Sequence, residues 1–285
     1  MRKPSAWLMD VLAEHRILRE NAYAKINLAL HVRRRRDDGY HEIETLFAFI
    51  DEGDYLTASP SARDVLHVKG EFATALDDPF DNIVLKALGK LKHVPGWGVS
   101  LEKRLPVAAG LGGGSADAGA IFRLVERWSG LPENWVEIAA RLGADVPACV
   151  ASRACIGRGT GTDLEPVDDD LAGTPVLLVN PRLPLATGPV FRAWDGVDRG
   201  ALPSGTTRAI ALAGRNDLEA PAIALCPPIA KVLTALTATA PWLARMSGSG
   251  ATCFALYDGA DALRAAAAAL AEQHPDWWQM AGALR

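Results

Sequence analysis

The stretch PVAAGLGGGSADAG, residues 106–119, places four glycines within five residues, at positions 110, 112, 113 and 114. The residues before it alternate like a strand, and those after it have helical spacing. Glycines let backbone N–H groups crowd around one point without interference from Cβ atoms. The following helix adds its free N–H groups and the positive end of its dipole. The stretch therefore predicts an anion-binding loop suited to a triphosphate. The alternative is a tight strand-to-helix connection without a ligand.

Two familiar phosphate-binding motifs do not fit this loop. A Walker A loop ends in Gly-Lys-Ser or Gly-Lys-Thr, and no lysine follows these glycines. The dinucleotide fingerprint GxGxxG matches at Gly110 and Gly112, but Ser115 holds the place of its third glycine. Ser115 stands at the predicted start of the helix. Its hydroxyl is expected either to cap the helix or to contact a phosphate-bound Mg²⁺.

Strands and helices are predicted on both sides of this loop in the first half of the chain. Residues 22–32 (AYAKINLALHV) alternate and predict a strand, and Asp38-Gly39 predicts a hairpin turn before a second strand. Asp81 is the predicted cap of a helix with one apolar face. A strand over 99–105 leads into the loop. Helices over 115–128 and 132–142 follow it, the second ending at Gly143.

The second half of the chain has a different order of elements. It predicts strands over 175–180, 243–246, 251–257 and 277–284, with helices over 228–240 and 260–274. That order, β-α-β-β-α-β, is typical of ferredoxin-like domains. We therefore expect a leader helix over 1–20, a first domain over 21–165 and a second over 166–285. The boundary lies where Pro166 and the acidic residues 168–170 interrupt the apolar pattern.

Composition limits the class of protein. An apolar content of 49% suits a globular core, and a net charge of -4 gives no reason to expect a nucleic-acid or membrane partner. The four cysteines form no CxxC pair, so we expect reduced, buried thiols. No apolar run approaches the ~20 residues that span a bilayer. We expect a soluble, cytoplasmic protein, either a monomer or a weak homodimer, that acts on a small molecule.

Three polar residues lie in otherwise apolar surroundings. Lys25 is inside the strand of residues 22–32, where a buried lysine requires a partner and an edge strand is the alternative. Asn27 is two residues on and faces the same side of that strand. Asp145 follows a helix end in Gly-Ala-Asp-Val-Pro. It is either a turn former or a carboxylate placed to accept a proton from a hydroxyl.

Three further features allow either a structural or a binding role. Tyr40 and His41 follow the hairpin turn, where they either pack on the surface or receive a planar base. The four arginines at 33–36 predict a solvated hairpin face, with attraction of a phosphorylated substrate as the alternative. The sequence Ser247-Gly248-Ser249-Gly250 predicts a hairpin turn or a close approach of backbone to a ligand.

In their order along the chain, these motifs resemble those of the GHMP kinases. The matching segments are AKINL (24–28), DGYH (38–41), PVAAGLGGGSAD (106–117), GADVP (143–147), NDLE (216–219) and MSGSGATCFAL (246–256). The resemblance is closer to one family of that superfamily, the 4-diphosphocytidyl-2-C-methyl-D-erythritol kinases. It implies an α+β, two-domain fold. A domain similar to domain 2 of ribosomal protein S5 would be followed by a ferredoxin-like domain, with the site in the cleft between them.

The resemblance also implies a reaction, cofactors and roles for residues. The reaction is ATP-dependent phosphorylation of the 2-hydroxyl of 4-diphosphocytidyl-2-C-methyl-D-erythritol in non-mevalonate isoprenoid biosynthesis, with Mg²⁺. Asp145 would be the base and Lys25 its partner. Asn27 would help hold the substrate, Thr187 would lie near its reacting end, and Tyr40, His41 and Phe191 would receive its cytosine. Lys103 and Asn82 would lie near adenine. ATP would also be bound by Pro106, Ala108 and Ala109, and its phosphates would be held by Gly110, Leu111, Gly112, Gly113, Gly114 and Ser115.

Two alternatives to this function are considered. One is another GHMP kinase that acts on homoserine, mevalonate or a sugar, against which the Gly-Tyr-His turn argues. The other is a ligand sensor without catalytic activity on the same fold, against which Lys25 and Asp145 argue.

Overall fold

The chain folds around two β-sheets in a computed structural model that describes residues 17–76, 82–93 and 96–285. The first sheet contains β1 (Leu18–Arg35), β2 (His41–Ser61), β3 (Val65–Lys69), β4 (Gly96–Glu102), β5 (Cys155–Gly159) and β6 (Asp163–Pro166). The second contains β7 (Pro175–Asn180), β8 (Leu243–Met246), β9 (Cys253–Leu256) and β10 (Trp278–Ala283).

Nine helices connect the strands within the described residues. They are α1 (Ile83–Lys90), α2 (Gly113–Ser129), α3 (Trp135–Leu142), α4 (Val146–Ala151), α5 (Thr187–Arg192), α6 (Thr207–Ala213), α7 (Glu219–Leu225), α8 (Pro228–Ala238) and α9 (Ala260–Gln273). A short 3-10 helix (Ala73–Ala75) lies between β3 and α1.

The strand β2 organises the first sheet. It pairs with β1 antiparallel along one edge, in a register that runs from Leu18↔Ala58 to Arg35↔His41. Its other edge pairs with β5 at residues 43–47 and with β4 at residues 55–61. The predicted hairpin turn at Asp38-Gly39 is confirmed, since Gly39 has a positive φ of 84° at the tip between β1 and β2.

The predicted leader helix over 1–20 falls largely outside the described residues. Where the structure describes this region the prediction is wrong, because β1 begins at Leu18 and its first residues pair with β2. Apolar residues in a short amphipathic segment fit either a helix or a strand, and only the partner strand decides between them.

Several predicted helix and strand ends shift. Asn82 is the N-cap of α1 and accepts a hydrogen bond from Val84 N at 2.9 Å, in place of the predicted cap Asp81, which lies outside the described residues. The strand predicted over 99–105 ends at Glu102. The helix predicted over 132–142 begins at Trp135, although Gly143 ends it as predicted. These shifts arise because caps and turns depend on backbone geometry that composition does not encode.

The second sheet has the strand order β10-β7-β9-β8, and every neighbouring pair is antiparallel. With α8 after β7 and α9 after β9, this is the predicted ferredoxin-like arrangement. Three short helices that were not predicted, α5, α6 and α7, occupy the long connection from β7 to α8. The first sheet ends at Pro166 and the second begins at Pro175. The domain bounds 21–165 and 166–285 stay a prediction.

Both faces of the β1–β2 hairpin are covered, which explains its long buried runs. Phe47 and Phe49 pack in the core beneath α1 and α2, whereas Leu46, Ala48 and Ile50 pack against the second sheet. Alternation along the strand sends neighbouring side chains to opposite faces. Lys25 and Asn27 are buried within this hairpin, at the place where the loop before α2 meets it.

Candidate active site

A large cavity collects most of the predicted site residues. Its volume is about 990 Å³, at the upper end of ordinary ligand pockets. The residues that line it include Lys25, Asn27, Tyr40, His41, Asn82, Lys103, Pro106, Ala108, Ala109, Gly110, Gly112, Gly113, Gly114, Ser115, Asp145, Thr187, Phe191, Gly248 and Ser249. Leu111 is the exception among the predicted loop residues, because its side chain is buried in the core.

The glycine-rich loop turns three successive carbonyls away from the cavity. Ala109 O accepts from Thr252 N at 3.1 Å, Gly110 O from the Ser247 hydroxyl at 2.8 Å, and Leu111 O from Lys25 N at 3.0 Å. Since N–H and C=O point in opposite directions across a trans peptide, the N–H groups that follow these carbonyls face the other side. Those N–H groups have no acceptor among the described residues. The loop is therefore built to receive an anion.

The first turn of α2 completes this anion site. The helix begins at Gly113 and its N-cap is Gly112, in the left-handed region at φ 61°. The expectation that Ser115 caps the helix is therefore wrong, because Ser115 is its third residue. Within the described part of the chain the Ser115 hydroxyl makes no hydrogen bond, and it is half-buried at the cavity wall. It is free to contact a ligand.

Lys25 and Asp145 form an ion pair beside the loop. Lys25 Nζ lies 3.0 Å from Asp145 Oδ2 and donates to Asn27 Oδ1 at 2.9 Å. The lysine is buried and the aspartate is about one-third exposed, at 32%. Asp145 occupies the N-cap position of α4, yet its side chain makes no capping bond. The prediction of a paired lysine is confirmed, and the carboxylate remains open to the cavity on one side.

Gly112 fixes how closely the loop approaches this pair. A Cβ added at Gly112 would lie 3.0 Å from Lys25 Cε and 3.7 Å from Asp145 Oδ2. Only glycine combines that proximity with the positive φ at no steric cost. The loop, Lys25 and Asp145 are therefore in direct contact.

At the far end of the loop, Lys103 belongs to a buried charge cluster. Its ammonium group is hydrogen-bonded to Asp54 and lies 2.9 Å from Asp117 Oδ2. Asp54 also accepts from Arg104 N at 2.6 Å and Leu105 N at 2.8 Å, which anchors the chain where it enters the loop. Lys103 lines the cavity with its ammonium group already paired with Asp54 and Asp117, and its place near adenine stays a prediction.

This cluster perturbs the titration of its members. Burial raises the pKa of Asp117 from 3.8 to about 8, although the Lys103 ammonium opposes the shift. Burial acts to lower the pKa of Lys103, and Asp117 and Asp54 outweigh it, so the net shift is upward. Asp117 Oδ1 is buried without a hydrogen-bond partner. Two carboxylates around one ammonium group favour a proton on the second of them.

Tyr40, His41 and Phe191 lie at the opposite end of the cavity. The His41 ring packs 5.0 Å from Phe191 and 5.8 Å, edge-on, from Trp194. Its Nε2 atom is buried without a hydrogen-bond partner. Burial, and to a lesser degree the Arg35 guanidinium, lowers the pKa of His41, which keeps the ring neutral at pH 7. Tyr40 is 65% exposed and stands at the cavity rim.

Thr187 lies at the start of α5 and meets the Ser-Gly-Ser-Gly turn. Its Oγ1 atom is 3.0 Å from Ser249 Oγ. The same turn contacts the loop, because Ser247 Oγ both donates to Gly110 O and accepts from Asn27 N at 3.2 Å. The turn between β8 and β9 therefore closes the cavity from the second sheet.

The arginine run at 33–36 forms the solvated hairpin face that was predicted. Arg34 pairs with Glu42 at 2.6 Å and Arg36 with Asp38 at 3.0 Å. Arg35 donates to two backbone carbonyls at the end of α5, those of Arg192 at 2.9 Å and Trp194 at 2.6 Å. These charges are satisfied locally.

Three buried residues of the site were not predicted. Asp54 and Asp117 hold Lys103, and Asn216 donates to two carbonyls of the turn between β8 and β9. Asp117 carried a usable signal, since it stands among buried alanines on the apolar face of α2. A carboxylate at such a position requires a partner.

The remaining features to consider are the cysteines, possible metal-binding clusters and possible membrane-spanning helices. The four cysteines are free and buried, as predicted. Among the described residues, no three or more His, Cys, Asp and Glu side chains are grouped to hold a metal ion. Over the same residues, no helix has the length and apolar character needed to cross a membrane.

The chain matches two family descriptions in succession. Residues 82–153 match the GHMP kinases N terminal domain, and residues 203–276 match the GHMP kinases C terminal domain. The 4-diphosphocytidyl-2-C-methyl-D-erythritol kinase of Novosphingobium aromaticivorans is 71% identical over 94% of this chain and 93% of its own length. That of Erythrobacter litoralis is 64% identical over 94% and 100%.

A solved structure leads to the same family. The crystal structure of a 4-(cytidine 5'-diphospho)-2C-methyl-D-erythritol kinase superposes with a TM-score of 0.78 at 35% identity, covering 94% of this chain and 99% of that one. The predicted two-domain GHMP kinase fold is confirmed, and the protein is an ATP-dependent kinase. The chain therefore belongs to the GHMP kinases and, within them, to the family of 4-diphosphocytidyl-2-C-methyl-D-erythritol kinases.

Proposed function

We propose that this protein transfers the γ-phosphoryl group of ATP to the 2-hydroxyl of 4-diphosphocytidyl-2-C-methyl-D-erythritol, a step of non-mevalonate isoprenoid biosynthesis. The observation that carries the proposal is the ion pair of Lys25 and Asp145 at 3.0 Å, in contact with an anion-binding loop inside one cavity. Phosphoryl transfer needs little covalent chemistry from a protein. It depends on positioning and on neutralising charge.

Asp145 is the proposed general base. Its carboxylate is partly open to the cavity, and it accepts the proton of the substrate hydroxyl as the new O–P bond forms. The ammonium of Lys25 stabilises the negative charge of Asp145 before transfer. The Asn27 oxygen accepts a second N–H of that ammonium and holds it in place. Loss of Asp145 leaves Lys25 buried with an unmatched charge, and loss of Asn27 removes one of its hydrogen bonds.

The loop is proposed to hold the phosphates of ATP through its N–H groups. Their carbonyls are tied behind the loop by Thr252, Ser247 and Lys25, so the N–H groups need not reorganise when an anion arrives. Ser115 would hold Mg²⁺ together with the phosphates, since its free hydroxyl is an oxygen donor in the first turn of α2. When bound, Mg²⁺ neutralises charge on the β- and γ-phosphates. Lys103 and Asn82 would lie near adenine.

The far end of the cavity suits a planar, polar base. His41 is neutral, buried and has one ring nitrogen without a partner, which requires a ligand to satisfy it. Phe191 and Tyr40 supply aromatic faces beside it. Cytosine offers both a stacking face and hydrogen-bonding edge atoms. Thr187 then lies toward the reacting end of the same substrate.

Two other functions are weighed against this one. A GHMP kinase for homoserine, mevalonate or a sugar would leave the buried His41 nitrogen unsatisfied, because those substrates carry no base. A ligand sensor without activity would have no use for an ion pair of a buried lysine and a partly exposed carboxylate against the loop. Both alternatives predict a different result in the same assay.

The proposal is tested by ADP release with ATP and Mg²⁺ across four alcohols: 4-diphosphocytidyl-2-C-methyl-D-erythritol, homoserine, mevalonate and galactose. We expect release with the cytidyl substrate alone. Release with another alcohol would keep the Asp145 mechanism and discard the cytosine site. If folded protein that binds ATP releases no ADP with any of the four alcohols, a ligand sensor would be favoured.

A further inference from the structure

The Ser-Gly-Ser-Gly turn has a defined backbone conformation. Ser247 O accepts from Gly250 N at 2.9 Å, which closes a β-turn over residues 247–250. Gly248, the second residue of the turn, has a positive φ of 56°. Turn types differ mainly in how the central peptide, here between Gly248 and Ser249, is rotated. Whatever fixes that peptide decides which way its N–H points.

Asn216 fixes the orientation of this central peptide from the side away from the cavity. Its Nδ2 donates to Gly248 O and to Met246 O, both at 2.8 Å, and its Oδ1 accepts from Leu218 N at 3.0 Å. Both amide hydrogens are thus used, and the residue is buried. Asn216 is itself held to the first sheet, because backbone bonds of 2.8 and 2.9 Å join its two neighbours to Leu30 in β1.

The direction of the Gly248 carbonyl determines where the Ser249 N–H of the same peptide points. With Gly248 O directed at Asn216, the Ser249 N–H of a trans peptide points the other way. Gly248 and Ser249 line the cavity and Asn216 does not, so this N–H faces the cavity. Among the described residues it has no acceptor, although Ser249 is only 5% exposed. Buried backbone N–H groups without a partner are rare in proteins.

The contacts of the turn indicate which kind of ligand this N–H would meet. A Cβ on Gly248 would lie 3.1 Å from Asn27 Oδ1, the atom that accepts from Lys25. A Cβ on Gly110 would lie 2.3 Å from Ser247 O. The turn therefore contacts the loop on one side and the Lys25–Asn27 strand on the other. Between them the phosphoryl group must pass from ATP to the acceptor oxygen.

We propose that the Ser249 backbone N–H donates a hydrogen bond to an oxygen of the phosphoryl group in transfer, and that Asn216 is the positioning residue that aims it. The assignment rests on the proposed phosphoryl transfer. In that step the bond to ADP breaks, the bond to the acceptor oxygen forms, and the proton goes to Asp145. The Ser249 N–H takes no part in bond making and only stabilises charge on the group between the two oxygens.

The test removes the N–H while keeping the side chain constant. Ser249→Ala is compared with the same protein that carries lactic acid at position 249, so that an ester oxygen replaces the N–H. Affinity is measured for ADP alone and for ADP with Mg²⁺ and aluminium fluoride, which mimics the transferring group. We expect the ester to weaken the fluoride complex by about 100-fold and ADP by less than about threefold. Since no acceptor alcohol is present, the result does not depend on the cytidyl substrate.

A second variant keeps the inference testable if the ester protein does not fold. Asn216→Asp cannot donate to Gly248 O, and we expect it to weaken the fluoride complex at least about tenfold. Asn134→Asp makes the same change at an exposed asparagine without a side-chain cap bond and serves as the control. Equal affinity of the ester and amide proteins for the fluoride complex would overturn the proposal. The proposal would also be overturned if the ester protein bound CDP more weakly while its fluoride complex stayed intact. The N–H would then serve the diphosphate of the substrate.

Discussion

Replacement of Gly112 by alanine tests whether the loop sets the position of the ion pair of Lys25 and Asp145. The added Cβ would lie 3.0 Å from Lys25 Cε, whereas ordinary carbon contacts are about 3.5–4.0 Å. Lys25 must therefore retreat by roughly 0.5–1 Å, taking its ammonium away from Asp145. A misplacement of about 1 Å near the reacting atoms costs on the order of 100-fold in rate. We expect Gly112→Ala to lower kcat by about that factor.

The same substitution also strains the backbone, and the other end of α2 isolates that effect. Gly130, the C-cap, has φ 82° and nothing within 4 Å of an added Cβ. Both variants place alanine at a positive φ, Gly112 in the left-handed region and Gly130 at φ 82° and ψ 160°, at about 1–3 kcal/mol of unfolding free energy each. Only Gly112→Ala touches Lys25.

The assay is steady-state ADP release with each variant, alongside thermal unfolding. We expect a loss of Tm for both variants and a loss of kcat for Gly112→Ala alone. Equal kcat values for the two folded variants would refute the argument that the loop positions Lys25.

Two further predictions concern the ends of the cavity. Because burial raises the pKa of Asp117 to about 8, the folded state holds a proton that the unfolded state releases above 3.8, and stability falls as pH rises between these values. Asp117→Asn removes this slope, so urea unfolding from pH 5 to 8 should increasingly favour the variant, by up to about 1.4 kcal/mol per pH unit; parallel curves would contradict it. Phe191→Ala should raise KM for the cytidyl substrate roughly tenfold through lost stacking and leave KM for ATP unchanged. An equal rise in both KM values would instead indicate a general distortion of the cavity.

The strands that are bounded by turn-forming residues were predictable from the sequence. Residues 175–180 and 243–246 were predicted as strands and are strands with those bounds, because turn-forming residues follow each of these short segments. The pairing of Lys25 was one of two alternatives that the sequence left open, since a lysine inside an apolar strand either has a carboxylate partner or lies on an edge strand. Which carboxylate supplies the charge came from the resemblance to the GHMP kinases and not from spacing.

What sequence reasoning missed depends on contacts between distant segments. Asp54 and Asp117 meet at Lys103 only after β2, β4 and α2 are assembled. The role of Asn216 arises from bonds across 30 and 32 residues to the turn between β8 and β9. The helices α5 to α7 have six or seven residues each, too few for a helical period to stand out.

The central claim is that Asp145 accepts the substrate proton beside the loop. The most direct test is single-turnover transfer of the γ-phosphoryl group to 4-diphosphocytidyl-2-C-methyl-D-erythritol by the wild-type protein and by Asp145→Asn, with ATP affinity measured in parallel. The account predicts a transfer rate lower by about 100- to 10,000-fold in the variant, with ATP affinity largely kept. Transfer by Asp145→Asn at close to the wild-type rate would contradict it.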